Sequence, residues 1–244
     1  MRTIRVYVAG DYPNIGQSLE LPESVRHYVA TVLRARDGFQ IQLFNGEGLT
    51  AQAKLLLEKR SAKVIIESRV EDTSKESPLK LILAQGISRG ERMDVSIQKA
   101  TELGVSAIQP LFTDYCEVKL EDDDKIAKRM GHWQQVIISA CEQCERTVLP
   151  QLFTPLTLNE WLAQQPAGLV LDPYQGVPLK ALGAAAFSTP QQLLIGPEGG
   201  LSDKELTKAL NVGLVGCRLG PRILRTETAG PAAIAALQSL YGDA

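Results

Sequence analysis

The chain has 244 residues, 44% hydrophobic and 22% charged, with a net charge of −2. That length suits one large domain or two small ones, and the composition is ordinary for a soluble globular protein. The near-neutral balance excludes a general nucleic-acid coat but not a local basic patch, and no apolar run reaches the ~20 residues that would span a bilayer.

The first ten residues, MRTIRVYVAG, read as a strand rather than a signal peptide, so a cytoplasmic protein with no membrane association is expected. Ile4 to Val8, Gln40 to Phe44, Leu49 to Leu57 and Lys63 to Val70 read as strands of a β meander, and Asn45-Gly46 is a hairpin turn signal. Glu23 to Arg34 reads as a short helix, because Val25, Val29, Val32 and Leu33 recur at helical spacing. Together these predict a small β-barrel whose core is marginal alone. Residues 1–75 carry a slight basic excess over an acidic remainder, which points to this part as the RNA-facing end. Arg2, Arg5, Arg26, Arg34 and Arg36 are candidate phosphate contacts, with scattered solvated charge as the alternative. The polar stretch EDTSKESP reads as a linker, which divides the chain into residues 1–72, a linker at 73–78, and residues 79–244.

Leu79 to Ala84 is a predicted buried strand, Arg89 to Leu103 a helix closed by Gly104, and Val105 to Leu111 the next strand. This βαβ order predicts a parallel sheet with a right-handed crossover. Asp122 to Arg146 is a long helix with an apolar stripe through Ile126, Met130, Trp133, Ile137, Ala140 and Cys144. At its end, Glu142, Gln143 and Arg146 face either a substrate or solvent. Cys116, Cys141, Cys144 and Cys217 fit a reducing compartment, and the Cys141–Cys144 pair reads as small buried residues rather than as a metal or redox site. Leu156 to Gln164 is a short helix, and Gly168 to Leu171 a strand whose end, Asp172-Pro173-Tyr174, should border a ligand pocket.

The most informative stretch is LLIGPEGGLSDKEL followed by LGPRILRTETAGPAAIAAL. Each half is an apolar strand, a glycine-proline turn and a helix start. Ser202 and Glu205 stand at capping-box spacing, and Pro231 suits only a first helical turn, which predicts a cap at Thr228. Two such turns at neighbouring strand ends build a pocket walled by backbone. Glu198 would repel a phosphate and there is no GxGxxG, so the pocket suits a largely uncharged or zwitterionic ligand.

GPEGGLSDKE with LGPRILRTETA resembles the two signature loops of the SPOUT methyltransferase superfamily, and more narrowly the family of ribosomal RNA small subunit methyltransferase E. HYVATVLRARDGFQIQLFNGEG, MDVSIQKATELGVSAIQPLF and CEQCERTVLP resemble further segments of that family, with Cys144 where serine is common. The resemblance implies an α/β fold: a PUA-like β-barrel followed by a knotted parallel-sheet domain with a C-terminal trefoil knot. It implies S-adenosylmethionine as cofactor, N3 of a uridine in 16S ribosomal RNA on the small subunit as substrate, and a homodimer. By position in the motifs it implies cofactor contacts from Leu171, Leu194, Gly196, Glu198 and Gly199. A second set is Leu219, Gly220, Ile223, Leu224, Arg225, Thr226, Thr228 and Ala229.

Methylation of a uracil N3 requires its proton to leave, so the site needs a base and donors that stabilise the uracil anion. Arg225 is the candidate donor, and Glu198 and Glu227 the candidate bases; either carboxylate could instead bind the cofactor or cap a helix. Arg146 joins the candidate RNA contacts. The alternatives are a ribose 2′-O or tRNA methyltransferase on the same fold, and a non-catalytic ribosome-assembly factor.

Overall fold

The computed structural model describes residues 4–58, 61–118, 122–183 and 191–244. It divides into two compact units, Met1–Glu76 with Cys141–Leu149, and Ser77–Ala140 with Pro150–Ala244. The chain thus leaves the first unit inside the predicted linker, but residues 141–149 pack with that unit although they lie in the middle of the expected second one.

The first unit is a five-stranded sheet of β1 (Ile4–Tyr7), β2 (Ser18–Glu20), β3 (Gln40–Phe44), β4 (Leu49–Leu57) and β5 (Ala62–Glu71), ordered β1-β3-β4-β5-β2. The Asn45-Gly46 turn works as its residue types dictate: the Asn45 carboxamide oxygen accepts from the N–H groups of Glu47 and Leu49, and Gly46 takes φ +83. The alternate residues Ile41 and Leu43 bury completely against Val6, Leu55, Val64 and Ile66. The sheet is not a pure meander, because β1 pairs parallel to β3. The expected helix from Glu23 is α1 (Glu23–His27) followed by a π-helical turn, Tyr28–Val32, in which the Leu33 N–H reaches back to the Tyr28 carbonyl. The wider turn rotates the apolar stripe, so Val29 is buried while Val32 is 59% exposed.

The second unit holds β6 (Leu81–Gly86), α2 (Glu91–Glu102), β7 (Ala107–Phe112), α3 (Asp123–Cys144), β8 (Gln151–Leu152), β9 (Leu156–Thr157), α4 (Leu158–Leu162) and β10 (Gly168–Leu171). These are followed by β11 (Val177–Pro178), β12 (Gln191–Ile195), α5 (Asp203–Asn211), β13 (Val215–Arg218) and α6 (Thr226–Tyr241), while the last four residues of α3 count with the first unit. The strands form an eight-stranded sheet, β11-β13-β10-β12-β6-β7-β8, with β9 on β7 and every pairing parallel. Leu81, Leu83, Val170, Leu193 and Leu194 are wholly buried, as central parallel strands covered on both faces require. Among the described residues no helix is long and apolar enough to cross a membrane.

Helix α6 starts at Thr226, with Arg225 as cap residue, and not at a Thr228 cap. Pro231 therefore sits inside the helix rather than in its first turn. The start is held from outside the helix: the Thr226 hydroxyl donates to the Gly196 carbonyl at 2.7 Å, 30 residues away.

Candidate functional site

The register of β6, β10, β12 and β13 aligns Gln85 with Ile195 and Leu171 with Cys217, so the carboxyl ends of these strands share one edge. There the chain makes three turns: residues 172–176, 196–200 and 219–225. In the first, the Asp172 carboxylate accepts from the N–H groups of Tyr174 and Gln175, each at 3.0 Å. In the second, a Cβ on Gly196 would lie 2.7 Å from the Gly200 carbonyl carbon, so no other residue fits without moving the loop. Helix α5 then starts with the expected capping box: the Ser202 hydroxyl accepts from Glu205 N–H, and Glu205 accepts from Ser202 N–H. The box is also tied to the β7 end, since Asp114 N–H donates to Glu205 and Ser202 donates to the Asp114 carboxylate.

The three turns enclose a cavity of about 670 Å³, in the range of small-molecule sites. Its charged lining is balanced, with Arg92, Arg218, Arg222 and Arg225 against Asp172, Glu198, Asp203 and Glu227. This matches the expectation of a zwitterionic ligand. Leu171, Gly196, Glu198, Gly199, Leu219, Gly220, Ile223, Leu224, Arg225, Thr226, Glu227 and Ala229 all line it, as do Pro173 and Tyr174. Two nominated residues do not. Leu194 is wholly buried in the core below, because alternate strand residues point to opposite faces, and Thr228 is exposed and outside the lining. Cys217 lines the cavity, but burial, with some help from Asp172, pushes its thiol up to about 12, away from the thiolate that a nucleophile needs.

The two carboxylates nominated as bases differ. Glu198 accepts from Arg89 N–H at 2.9 Å and from the Arg92 guanidinium at 3.1 Å. Partial burial opposes its ionisation, but these bonds outweigh it and hold the carboxyl below its ordinary value. Glu227 meets Arg92 only at 3.9 Å, and its Oε2 is buried without a hydrogen-bond partner among the described residues. Arg225 is exposed, and no hydrogen bond or ion pair of its side chain occurs among the described residues.

The candidate RNA contacts divide as well. Arg5 and Arg146 are corrections. Arg5 donates to the carbonyls of Cys141 at 2.8 Å and Arg146 at 3.3 Å, and its guanidinium stacks 4.7 Å over the Phe44 ring. It thus holds the end of α3 and the residues just after it, adding to the bond that the Cys141 carbonyl already accepts from the Glu145 N–H. Arg146 is 4% exposed and paired with Glu76 at 2.6 Å. Arg26 is bound to Glu23 on its own helix. Arg34 and Arg36 are exposed, and Arg2 lies outside the described residues. Glu142, considered for the substrate, accepts from Tyr7 N–H instead.

Sequence reasoning missed Arg92, Tyr115 and Gln85. Gln85 is completely buried and donates to the Thr226 hydroxyl at 2.9 Å and the Gly86 carbonyl at 3.0 Å, with a longer approach of 3.4 Å to the Gly196 carbonyl. A glutamine in an otherwise apolar strand, LILAQG, is the one local signal that could have found it.

A parallel sheet with a glycine-walled cavity at its carboxyl edge, in a chain that also holds a separate small β unit, is the architecture of an RNA methyltransferase. The chain matches the RNA methyltransferase domain family over residues 75–238 and the RNA methyltransferase PUA domain family over residues 21–67. It is 36% identical to the ribosomal RNA small subunit methyltransferase E of Buchnera aphidicola over 99% of this chain and 98% of the relative. It is 32% identical to that of Bacillus subtilis over 89% of this chain and 90% of the relative. Among solved structures it is similar to a Legionella pneumophila methyltransferase with bound S-adenosylmethionine, at 42% identity and TM-score 0.93 over 100% of both chains. It is also similar to the Neisseria gonorrhoeae ribosomal RNA small subunit methyltransferase E bound to S-adenosylmethionine, at 37% identity and TM-score 0.89 over 99% of both. The chain belongs to the ribosomal RNA small subunit methyltransferase E family.

Proposed function

We propose that this protein methylates N3 of a uridine in 16S ribosomal RNA, on the assembled small subunit, with S-adenosylmethionine bound in the cavity between the 196–200 and 219–225 turns. The observation that carries the reading is the charge-balanced, backbone-walled cavity, in a chain similar throughout its length to relatives solved with that cofactor. The residues present fit the group: a Cβ on Gly196 would strike the Gly200 backbone, so only glycine lets the first turn close on itself, and Ile223 and Leu224 offer apolar surface for an adenine. S-adenosylmethionine supplies, when bound, an electrophilic methyl group on a sulfonium.

The chain's own residues supply position and charge. Arg225, exposed in the cavity lining, donates to a uracil oxygen and stabilises the anion that forms as the N3 proton leaves. Glu227, whose Oε2 is unpartnered, is the better placed base. Glu198 is spent on Arg89 and Arg92, which makes it an anchor of the first turn. Arg34 and Arg36 remain as contacts for the RNA backbone.

Two further parts of the reading are finer than the fold itself. A trefoil knot is supported by β13 lying between β10 and β11, strands that the short turn at 172–176 joins directly. A homodimer is supported by Tyr174, Val177 and Val215, large apolar side chains left 76%, 43% and 44% exposed.

The test is transfer of labelled methyl from S-adenosylmethionine to small subunits and to naked 16S RNA from cells lacking the enzyme, followed by digestion to nucleosides. The expected product is labelled 3-methyluridine, formed faster on the subunit. Label in any other nucleoside, or none while the cofactor binds, overturns the substrate.

A further inference from the structure

We infer that Gln85 is a positioning residue for the cofactor: its carboxamide locks the two pocket turns to each other, and cofactor affinity depends on that lock. The inference rests on the reading of this cavity as the S-adenosylmethionine site.

The geometry is a small closed node. Gln85, the last residue but one of β6, lies opposite Ile195, the last residue before the first turn. Its Nε2 donates to Thr226 Oγ1 at 2.9 Å, and the Thr226 hydroxyl donates to the Gly196 carbonyl at 2.7 Å. Gly196 opens the first turn and Thr226 closes the second, so one side chain ties both. The Thr226 hydroxyl is thereby consumed, and what Thr226 offers a ligand is backbone. The amide orientation is dictated by its surroundings. Reversed, Oε1 would face the carbonyls of Gly86 and Gly196 and a hydroxyl whose hydrogen is already given away.

The node carries a cost that singles out its purpose. Gln85 Oε1 is buried with no hydrogen-bond partner among the described residues; it faces α6, 3.6 Å from where a Cβ on Gly230 would lie. A buried unpaired acceptor is unfavourable, and a methionine of similar shape would avoid it. The glutamine is explained by its donors, which reach Thr226 and Gly196 at the two turns that wall the cavity as well as the neighbouring Gly86 carbonyl. A lock of this kind lowers the ordering cost of binding, and so acts on affinity before it acts on the chemical step.

The test measures S-adenosylmethionine binding by calorimetry on the full chain, with thermal melts and steady-state kinetics alongside. Gln85→Met should raise the cofactor Kd and KM by about tenfold or more while kcat at saturating cofactor stays close to the parent value. Gln85→Glu supplies a readout that general destabilisation would not. Its buried carboxyl, raised by desolvation, loses its donor when ionised and regains an O–H donor on protonation. Its affinity should therefore be weak at alkaline pH and recover as the pH falls, with no matching recovery in the parent. Should neither variant fold, Thr226→Val breaks the same node and should show the same rise in Kd. A folded Gln85→Met or Thr226→Val binding cofactor as tightly as the parent overturns the inference, as does a Gln85→Glu variant indifferent to pH. Gly196→Val, run in parallel, separates this from failure of the cavity assignment. If that folded variant binds the cofactor undiminished, the cofactor is elsewhere and the lock has no role.

Discussion

Arg5, in the sheet of the first unit, and Arg225, at the rim of the cavity, carry the same side chain into opposite surroundings. Arg5 is 7% exposed, its donors taken by two carbonyls and the Gln42 side chain, and burial pushes its guanidinium down from its ordinary value. Arg225 is exposed and lines the cavity, and no hydrogen bond or ion pair of its side chain occurs among the described residues. The contrast extends to Arg146, locked to Glu76, against Arg34 and Arg36, which are exposed. An arginine whose donors are all used holds a fold together, and one whose donors are open is available to a ligand. Which of the two a given arginine becomes depends on what lies within about 3 Å of it.

The comparison can be broken at its strongest point first. Arg146→Ala leaves Glu76 in a half-closed site without its partner, and should lower unfolding free energy by about 3–5 kcal/mol in urea, with methyl transfer per folded molecule unchanged. An unaltered urea midpoint would mean that the pair is dispensable. Arg225→Ala should do the reverse: a loss of about 10²–10³ in kcat, near 3–4 kcal/mol of barrier, with melting temperature and cofactor affinity nearly constant. Parallel loss of rate and cofactor binding would reassign Arg225 to the cofactor.

The two carboxylates give a sharper contrast of smaller size. Glu227→Gln should slow transfer about 10²-fold, whereas Glu198→Gln should chiefly loosen the first turn and weaken cofactor binding. The sign for Glu198 follows from its lowered carboxyl. Its anchoring of the turn is fully present above the unfolded-state value and is lost only as pH falls through the lower folded one. Equal kinetic damage from the two variants would remove the distinction. The smallest effect belongs to Arg34→Ala or Arg36→Ala. Each should reduce the salt dependence of subunit binding by about one unit of slope without touching cofactor affinity; an unchanged slope would leave both as solvated charge.

Most of the elements were legible because their causes are local. Gln40–Phe44, Leu49–Leu57 and Gly168–Leu171 are strands with the very bounds that their residue pattern suggests. The Asn45-Gly46 turn, the Ser202 capping box and the left-handed Gly104 after α2, at φ +84, each depend on partners a few residues away. The cavity turns were legible for a related reason, since glycine and proline in a row admit few backbone paths.

What the sequence determined by itself about this protein is therefore its alternation of strands and helices, the two glycine turns and the family they mark. What only the tertiary structure decided is what those turns are held by and which charges are free. Arg5 finds its carbonyls 136 and 141 residues away. Glu198 meets Arg92 across 106 residues. Gln85 reaches Thr226 across 141, and that contact, with the Gly196 bond, accompanies a cap at Arg225, three residues before the Thr228 cap that Pro231 suggested. The physical reason is one of range. Backbone preference and helix capping act over the next three or four residues, whereas a buried donor takes whichever acceptor the packed core brings to it.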